Sequence, residues 1–383
     1  MMRILMLVPD FPVDTNRIKG GVHSAVINLL RGFAGKDIQV RLLTLNNEVA
    51  KDTVVRLNEQ VDIKYCNYGS IPSKALSYLV RGSGILKRNI EEYNPDIVHY
   101  QIGGFFLFTT LGGYLGRKSV LTVHGIPSHE ARIQPTLKGK LTYYLYAWVN
   151  DRLAPFHTIC ISKYSKALMG QDRMDQFPII YNAVNEKFFA IPPRQEHANR
   201  LLYVGVINDR KNILLLLEAL ADLTGQGKVF QLDVIGGFAK NDPYELKVKK
   251  FIADNNLERV VKLHGWKPQD ELPGFLADAD IFILPSKQET LPVAIEEAMA
   301  ASRCVIASAV GGVPEMVEDG VSGFLFESGS KDALVSVLEK VYNNDALLDR
   351  VGKAAHEQAI AKYAPTTVAE QTIGYYKQVL SSR

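Results

Sequence analysis

Short apolar runs alternate with helical patterns along nearly the whole of this chain, and the alternation occurs twice. In the first half "RILMLV", "QVRLLTL", "DIVHY", "SVLTVHG" and "HTICIS" read as strands. In the second half "LLYVGV", "FQLDVIGG", "VVKLHG", "DIFILP", "CVIAS" and "GFLF" do. Helical patterns lie between them, as over 22–33, 211–223, 244–255, 291–301 and 331–343. A strand with one face in water alternates apolar and polar residues. A near-continuous apolar run belongs to a parallel strand covered on both faces. Such strands, separated by helices, require open parallel sheets between helical layers. The expected fold class is α/β, with two doubly wound Rossmann-like domains.

The segment "IPPRQEHANR" (191–200), with prolines, charges and no periodicity, reads as the linker between the two halves. The expected domains are 1–185 and 200–364. Pro365 interrupts the last helical pattern, and 365–383 is expected to be a terminal helix packing back on the N-terminal domain. A length of 383 residues suits two domains of ordinary size. The net charge of +3 offers no overall field for nucleic acid. Cys66, Cys160 and Cys304 are far apart and odd in number, which argues for a reducing, cytoplasmic setting and against a metal cluster. The opening "MMRILMLVPDFP" is too short for a signal-peptide core, and no run reaches the ~18 apolar residues of a spanning helix. Membrane contact, if made, is expected to be peripheral, at the inner face.

In doubly wound sheets ligands bind beyond the carboxyl ends of the strands, so residues just after strands are the candidates. Gly20 and Gly21 follow the first strand and a polar loop and open a helix. Paired glycines there admit a phosphate close to the backbone, or simply end a loop at a cap. No GxGxxG fingerprint and no P-loop is present. His124 ends "SVLTV" ahead of a glycine and a polar loop, a place where a neutral imidazole could donate to a sugar hydroxyl. His99, at the end of "DIV", reads as a core histidine. Gly205 closes another strand, with Arg210 and Lys211 just beyond, as phosphate ligands would lie. Further strand–glycine junctions occur at "DVIGG" and at Gly311-Gly312. In "PSKQETLPVAIEEAMA" (285–300), Glu289 lies on a loop and Glu297 on a helix, with Pro292 suited to the first helical position. Two acids about a helix start are either dipole chemistry or a site for a ligand carrying both phosphate and hydroxyls.

These segments resemble the large retaining glycosyltransferases of the GT-B fold, family 4. The resemblance covers essentially the whole chain. Its most specific element is the Glu289–Glu297 stretch, supported by "GGV" at 20–22, "TVHG" at 122–125, "CISKYSKALM" at 160–169, "YNAVNEKFF" at 181–189 and "VGGVPEMVEDGVSGFLF" at 310–326. It implies two domains facing a cleft, a nucleotide-diphosphate sugar as donor, and no cofactor beyond that substrate. It implies that Glu297 accepts from the ribose hydroxyls and that Glu289 contacts the transferred sugar. Lys211 matches the family's diphosphate lysine and His124 a histidine that meets the sugar, while Arg210 would supply the charge of the family arginine that is missing here. Gly20, Gly21, Gly205 and the Thr290-Leu291-Pro292 loop would line the donor. The sequence departs from the family at Val206, where an arginine is usual, and at Thr290-Leu291-Pro292, usually Gly-Phe-Gly. Pro292 has no N–H to give a ligand. Nothing in the sequence looks like the Asp-x-Asp metal site of other transferases, so the expected chemistry is metal-independent, and the resemblance implies that it retains the anomeric configuration.

The acceptor is expected to be a glycan, lipid-linked or otherwise, in polysaccharide or glycoconjugate synthesis. Segments 73–93 and 132–152 mix cations with apolar and aromatic residues, which suits either an anionic bilayer or a core-packed helix with a solvated face. A nucleotide-sugar epimerase of the same fold and a non-catalytic sugar-nucleotide-binding protein remain open alternatives.

Overall fold

The computed structural model describes residues 1–15, 18, 20–69, 81–101, 119–125, 131, 137–153, 157–169, 177–240 and 242–381. It divides into two compact units, Met1–Ala183 with Pro365–Arg383, and Val184–Ala364.

The first unit is built on a seven-stranded sheet in the order β3-β4-β2-β1-β5-β6-β7. Its strands are β1 Met2–Leu7, β2 Ile38–Leu45, β3 Thr53–Arg56, β4 Val61–Cys66, β5 Ile97–Tyr100, β6 Ser119–Val123 and β7 His157–Cys160. All neighbours pair in parallel except β3, which runs antiparallel to β4 at the edge. β3 and β4 escape the apolar-run reading because they are not covered on both faces. Val54, Val55 and Arg56 of β3 are exposed, and β4 alternates buried Val61 and Ile63 with Asp62 and Lys64. Successive residues of β1 serve opposite cores. Ile4 and Met6 pack with Val26, Leu30, Val368 and Tyr376, whereas Leu5 and Leu7 pack with Leu43, Leu86 and Leu121. That is why β1 is apolar from Ile4 to Leu7.

Helices α1 Gly21–Gly32, α2 Ser83–Tyr93, α3 Leu137–Leu153 and α4 Lys163–Leu168 belong to this unit. The second unit holds α5 Glu186–Phe189, α6 Ile213–Gly225, α7 Pro243–Asp254, α8 Leu272–Asp278, α9 Val293–Ala300, α10 Val313–Met316, α11 Lys331–Val341 and α12 Asp345–Tyr363. The terminal helix α13, Pro365–Ser381, packs on α1 of the first unit. Gly32 makes that packing possible: a Cβ there would stand 2.2 Å from the Pro365 carbonyl oxygen.

The second unit carries a six-stranded parallel sheet, β10-β9-β8-β11-β12-β13. Its strands are β8 Arg200–Val204, β9 Gln231–Ile235, β10 Val261–Leu263, β11 Ile281–Leu284, β12 Cys304–Ser308 and β13 Phe324–Phe326. The segment expected as a linker, 191–200, is instead fastened to this unit. Buried Asp280 accepts from the backbone N–H groups of Ala198 (2.9 Å) and Arg200 (2.8 Å) and pairs with Arg194 at 3.0 Å. Arg303 also donates to the Pro192 carbonyl at 2.7 Å. Proline and charge count mark an aperiodic segment, but only its partners decide whether it is free.

Candidate functional site

The strand order of the second sheet reverses direction between β8 and β11, the point at which loops diverge and leave room for a ligand. The loops that follow these two strands hold Arg210, Lys211 and Glu289. Lys211 Nζ donates to Glu289 Oε1 at 2.5 Å, and Arg210 Nη1 lies 3.7 Å from Oε2. Arg210 Nη1 also donates to the Gln288 carbonyl at 3.1 Å, and the Lys287 N–H donates to the Arg210 carbonyl at 2.8 Å. Asn208 fixes the turn before α6, accepting the Lys211 N–H on its side-chain oxygen at 3.0 Å. Asn212 then enters the helix in the left-handed region (φ 54), which Asn tolerates better than most residues. Glu289 is buried and Lys211 nearly so.

Glycines bring these loops together. A Cβ on Gly236 would stand 1.8 Å from the Gly205 carbonyl oxygen, and Gly236 has φ 143. One on Gly312 would stand 2.1 Å from the Thr290 carbonyl oxygen. The strand-end glycines at these positions therefore serve loop-to-loop contact within the sheet's carboxyl edge. Pro292 is the N-cap of α9 rather than its first residue, with φ −73 and ψ 110. Its carbonyl accepts from Ile295 N at 2.9 Å, so the helix begins one residue later than the sequence suggests. Leu291 and Pro292 are buried and Thr290 is half-buried.

Glu297 lies on the buried side of α9. It does not join the Lys211–Glu289 cluster but accepts from Gln269 Nε2 at 3.1 Å. Burial pushes its carboxyl up to about 7, against the smaller opposing effect of that bond. Near neutral pH it therefore titrates, able to donate or accept.

In the first unit the strand order reverses between β1 and β5. Gly20, with φ 96 and exposed, is the N-cap of α1, and Gly21 is its first residue. Neither has a side chain to cover the first-turn amides. Past β5, Gln101 is buried and receives His124, whose Nε2 lies 2.8 Å from Gln101 Oε1. His124 is partly buried, and its pKa is held down to about 4 by burial. His99 is a core residue: its Nδ1 lies 2.5 Å from Tyr376 Oη of α13 and its Nε2 2.7 Å from Thr122 Oγ1. Burial lowers its pKa to about 3.

Sequence reasoning missed Gln101, Gln269 and Asn208, and gave Asn182 no role. Amides carry no chemical signature of their own. The one available signal was position, since Gln101 immediately follows a buried strand. Among the described residues no three His, Cys, Asp or Glu side chains group as a metal site. The three cysteines are free and buried.

Comparison with known proteins agrees with this geometry. The family model for "Glycosyl transferases group 1" matches residues 184–358, and that for "Glycosyltransferase Family 4" matches residues 19–188. An uncharacterised glycosyltransferase of Methanocaldococcus jannaschii is 28% identical over 367 residues, 93% of each chain. The amylovoran biosynthesis glycosyltransferase AmsK of Erwinia amylovora is 38% identical over 153 residues, 38% of this chain and 37% of AmsK. Anabaena HepE, solved in complex with UDP-glucose, superposes with a TM-score of 0.74 at 18% identity, covering 100% of both chains. With two Rossmann-like parallel-sheet units, both family matches and these relatives, the chain is a member of the group 1 glycosyltransferases of the GT-B fold.

Proposed function

We propose that this protein transfers a sugar from a nucleotide-diphosphate sugar to a glycan acceptor in polysaccharide synthesis, retaining the anomeric configuration and using no metal. The observation that carries the reading is the Arg210–Lys211–Glu289 cluster at the switch point of the second sheet. Two cations converge there on one carboxylate. When a diphosphate arrives, both can turn to it, and the charge that develops as the sugar–phosphate bond breaks meets donors already in place. Glu289, relieved of part of its pairing, is left to orient sugar hydroxyls. Glu297 on α9 is assigned to the ribose, and His124 of the first unit to the sugar. In the retaining route we favour, the leaving phosphate oxygen takes the acceptor's proton on the face it vacates, so no carboxylate nucleophile is needed. HepE binds UDP-glucose and AmsK is named for amylovoran biosynthesis; these names support a nucleotide sugar and a polysaccharide product here.

We extend the proposal to the acceptor: a lipid-linked glycan met at a membrane surface. Helix α3 supports it. Leu137, Leu141, Tyr144, Leu145 and Trp148 recur at helical spacing and all are exposed, with exposed Lys140 beside them. No described helix is long and apolar enough to cross a membrane, so this contact would be peripheral.

The test is to mix the protein with UDP-glucose and other nucleotide sugars, with and without glycan acceptors, and to follow free nucleotide. Nucleotide released in proportion to product supports transfer. An altered nucleotide sugar formed without acceptor would instead identify an epimerase, and binding without turnover a sensor. Co-sedimentation with anionic vesicles that persists in Leu141→Ser/Trp148→Ser would refute the α3 contact.

A further inference from the structure

His124 is flanked by two carbonyl-type acceptors but, when neutral, carries one N–H. Gln101 Oε1 lies 2.8 Å from Nε2. Asn182, which shares a cavity of about 20 Å³ with His124 and Gln101, is 4% exposed, and its Oδ1 has no hydrogen-bond partner among the described residues, the imidazole included.

The orientation of the Gln101 amide decides which acceptor is served. Its Nε2 faces Met6 Sδ at 3.5 Å and the ring nitrogens of His99 at 3.4 and 3.5 Å. A thioether is a weak acceptor and no donor. Turning the amide over would set its carbonyl oxygen against that sulfur, with nothing to donate to it. The amide N–H therefore belongs on the Met6 side and Oε1 belongs on the His124 side. His99, held at both nitrogens by Tyr376 and Thr122, forms the fixed floor beneath the amide.

We infer that Gln101 is a positioning residue that keeps the proton of His124 on Nε2, leaving His124 Nδ1 as an acceptor for a substrate hydroxyl. This rests on the assignment of His124 to the donor sugar, and it deepens that assignment: the hydroxyl donates and the protein accepts. The site then selects a hydroxyl or amine at that position over a group that only accepts, such as a fluorine or an ether oxygen.

The test reads the tautomer directly in the free protein, by 15N NMR of histidine-labelled chain with His124 assigned through His124→Gln. The wild type is expected to carry its proton on Nε2 in preference to Nδ1 by about tenfold, the weight of one net hydrogen bond. In Gln101→Met that preference falls to the smaller one of a free imidazole, because no acceptor then holds the Nε2–H. Wild-type His124 protonated mainly on Nδ1 would overturn the inference, and so would a Gln101→Met spectrum unchanged at His124. Because no substrate is present, either result is independent of whether the protein turns over UDP-glucose. Where it does turn over, Gln101→Met lowers kcat/KM more than it lowers nucleotide affinity. An equal loss of both would mark Gln101 as merely structural.

Discussion

The Lys211–Glu289 pair allows a test of whether the charge cluster is built for a ligand or for stability. At 2.5 Å the gross attraction is about 7 kcal/mol at an effective dielectric constant of ~20. Most of it is offset by taking two charges out of water, so the net coupling expected is about 1–2 kcal/mol. Lys211→Met leaves buried Glu289 facing only Arg210 at 3.7 Å. Losing one partner of a buried pair costs about 3–5 kcal/mol, and the remaining Arg210 reduces this to about 2 kcal/mol. For a unit of this size that is a fall of ~4–8 °C in Tm. Glu289→Gln costs less, about 1 kcal/mol, because the amide oxygen still accepts from Lys211. The chain has two tryptophans, Trp148 in the first unit and Trp266 in the second. In a Trp148→Phe background, urea denaturation followed by fluorescence therefore reports the second unit. Both single variants and the double variant complete the cycle. The functional half of the prediction has the opposite sign. Glu289→Gln removes the negative charge that opposes a diphosphate beside Lys211, so UDP should bind several-fold more tightly by calorimetry while transfer falls by about 100-fold or more. A coupling near zero, or weaker UDP binding in Glu289→Gln, would refute the reasoning.

Three further outcomes are expected. Glu297 is raised from 4.5 to about 7 in the folded chain, so its contribution is fully present below pH 4.5 and is lost as pH rises through about 7; the loss is on the order of 3 kcal/mol. Glu297→Gln should remove most of that slope in denaturation midpoints measured between pH 5 and 8, and an unchanged slope would show that another group is responsible. Gly236→Ala meets the Gly205 carbonyl at 1.8 Å with φ 143, and should cost at least ~3 kcal/mol. Gly237→Ala, with nothing within 4 Å, should change stability by less than ~0.5 kcal/mol in the same melt. Transfer should continue in excess EDTA, since Arg210 and Lys211 supply the positive charge; loss of activity restored by Mg²⁺ or Mn²⁺ would refute metal independence.

What the sequence by itself determined is the set of features carried by local pattern. Six apolar runs in the second half are six parallel strands, because strands covered on both faces are mostly apolar, with Asp233 in β9 and exposed Lys262 in edge strand β10 among the exceptions. Gly20, His124, Gly205, Arg210, Lys211 and Glu289 could each be singled out because each follows a strand. What only the tertiary structure decided are the partnerships. Lys211 and Glu289 are 78 residues apart, and nothing local says that their side chains meet. The segment 191–200 looks free until buried Asp280, 80 residues on from Arg200, gathers its amides. Edge strand β3 and its neighbour β4 are hidden because exposed faces admit polar residues. The environment of His124 is the clearest case. Gln101 with His99, Asn182, and Tyr376 come from three separate stretches of chain, and a hydrogen bond needs partners within about 3 Å, a condition that sequence spacing does not encode.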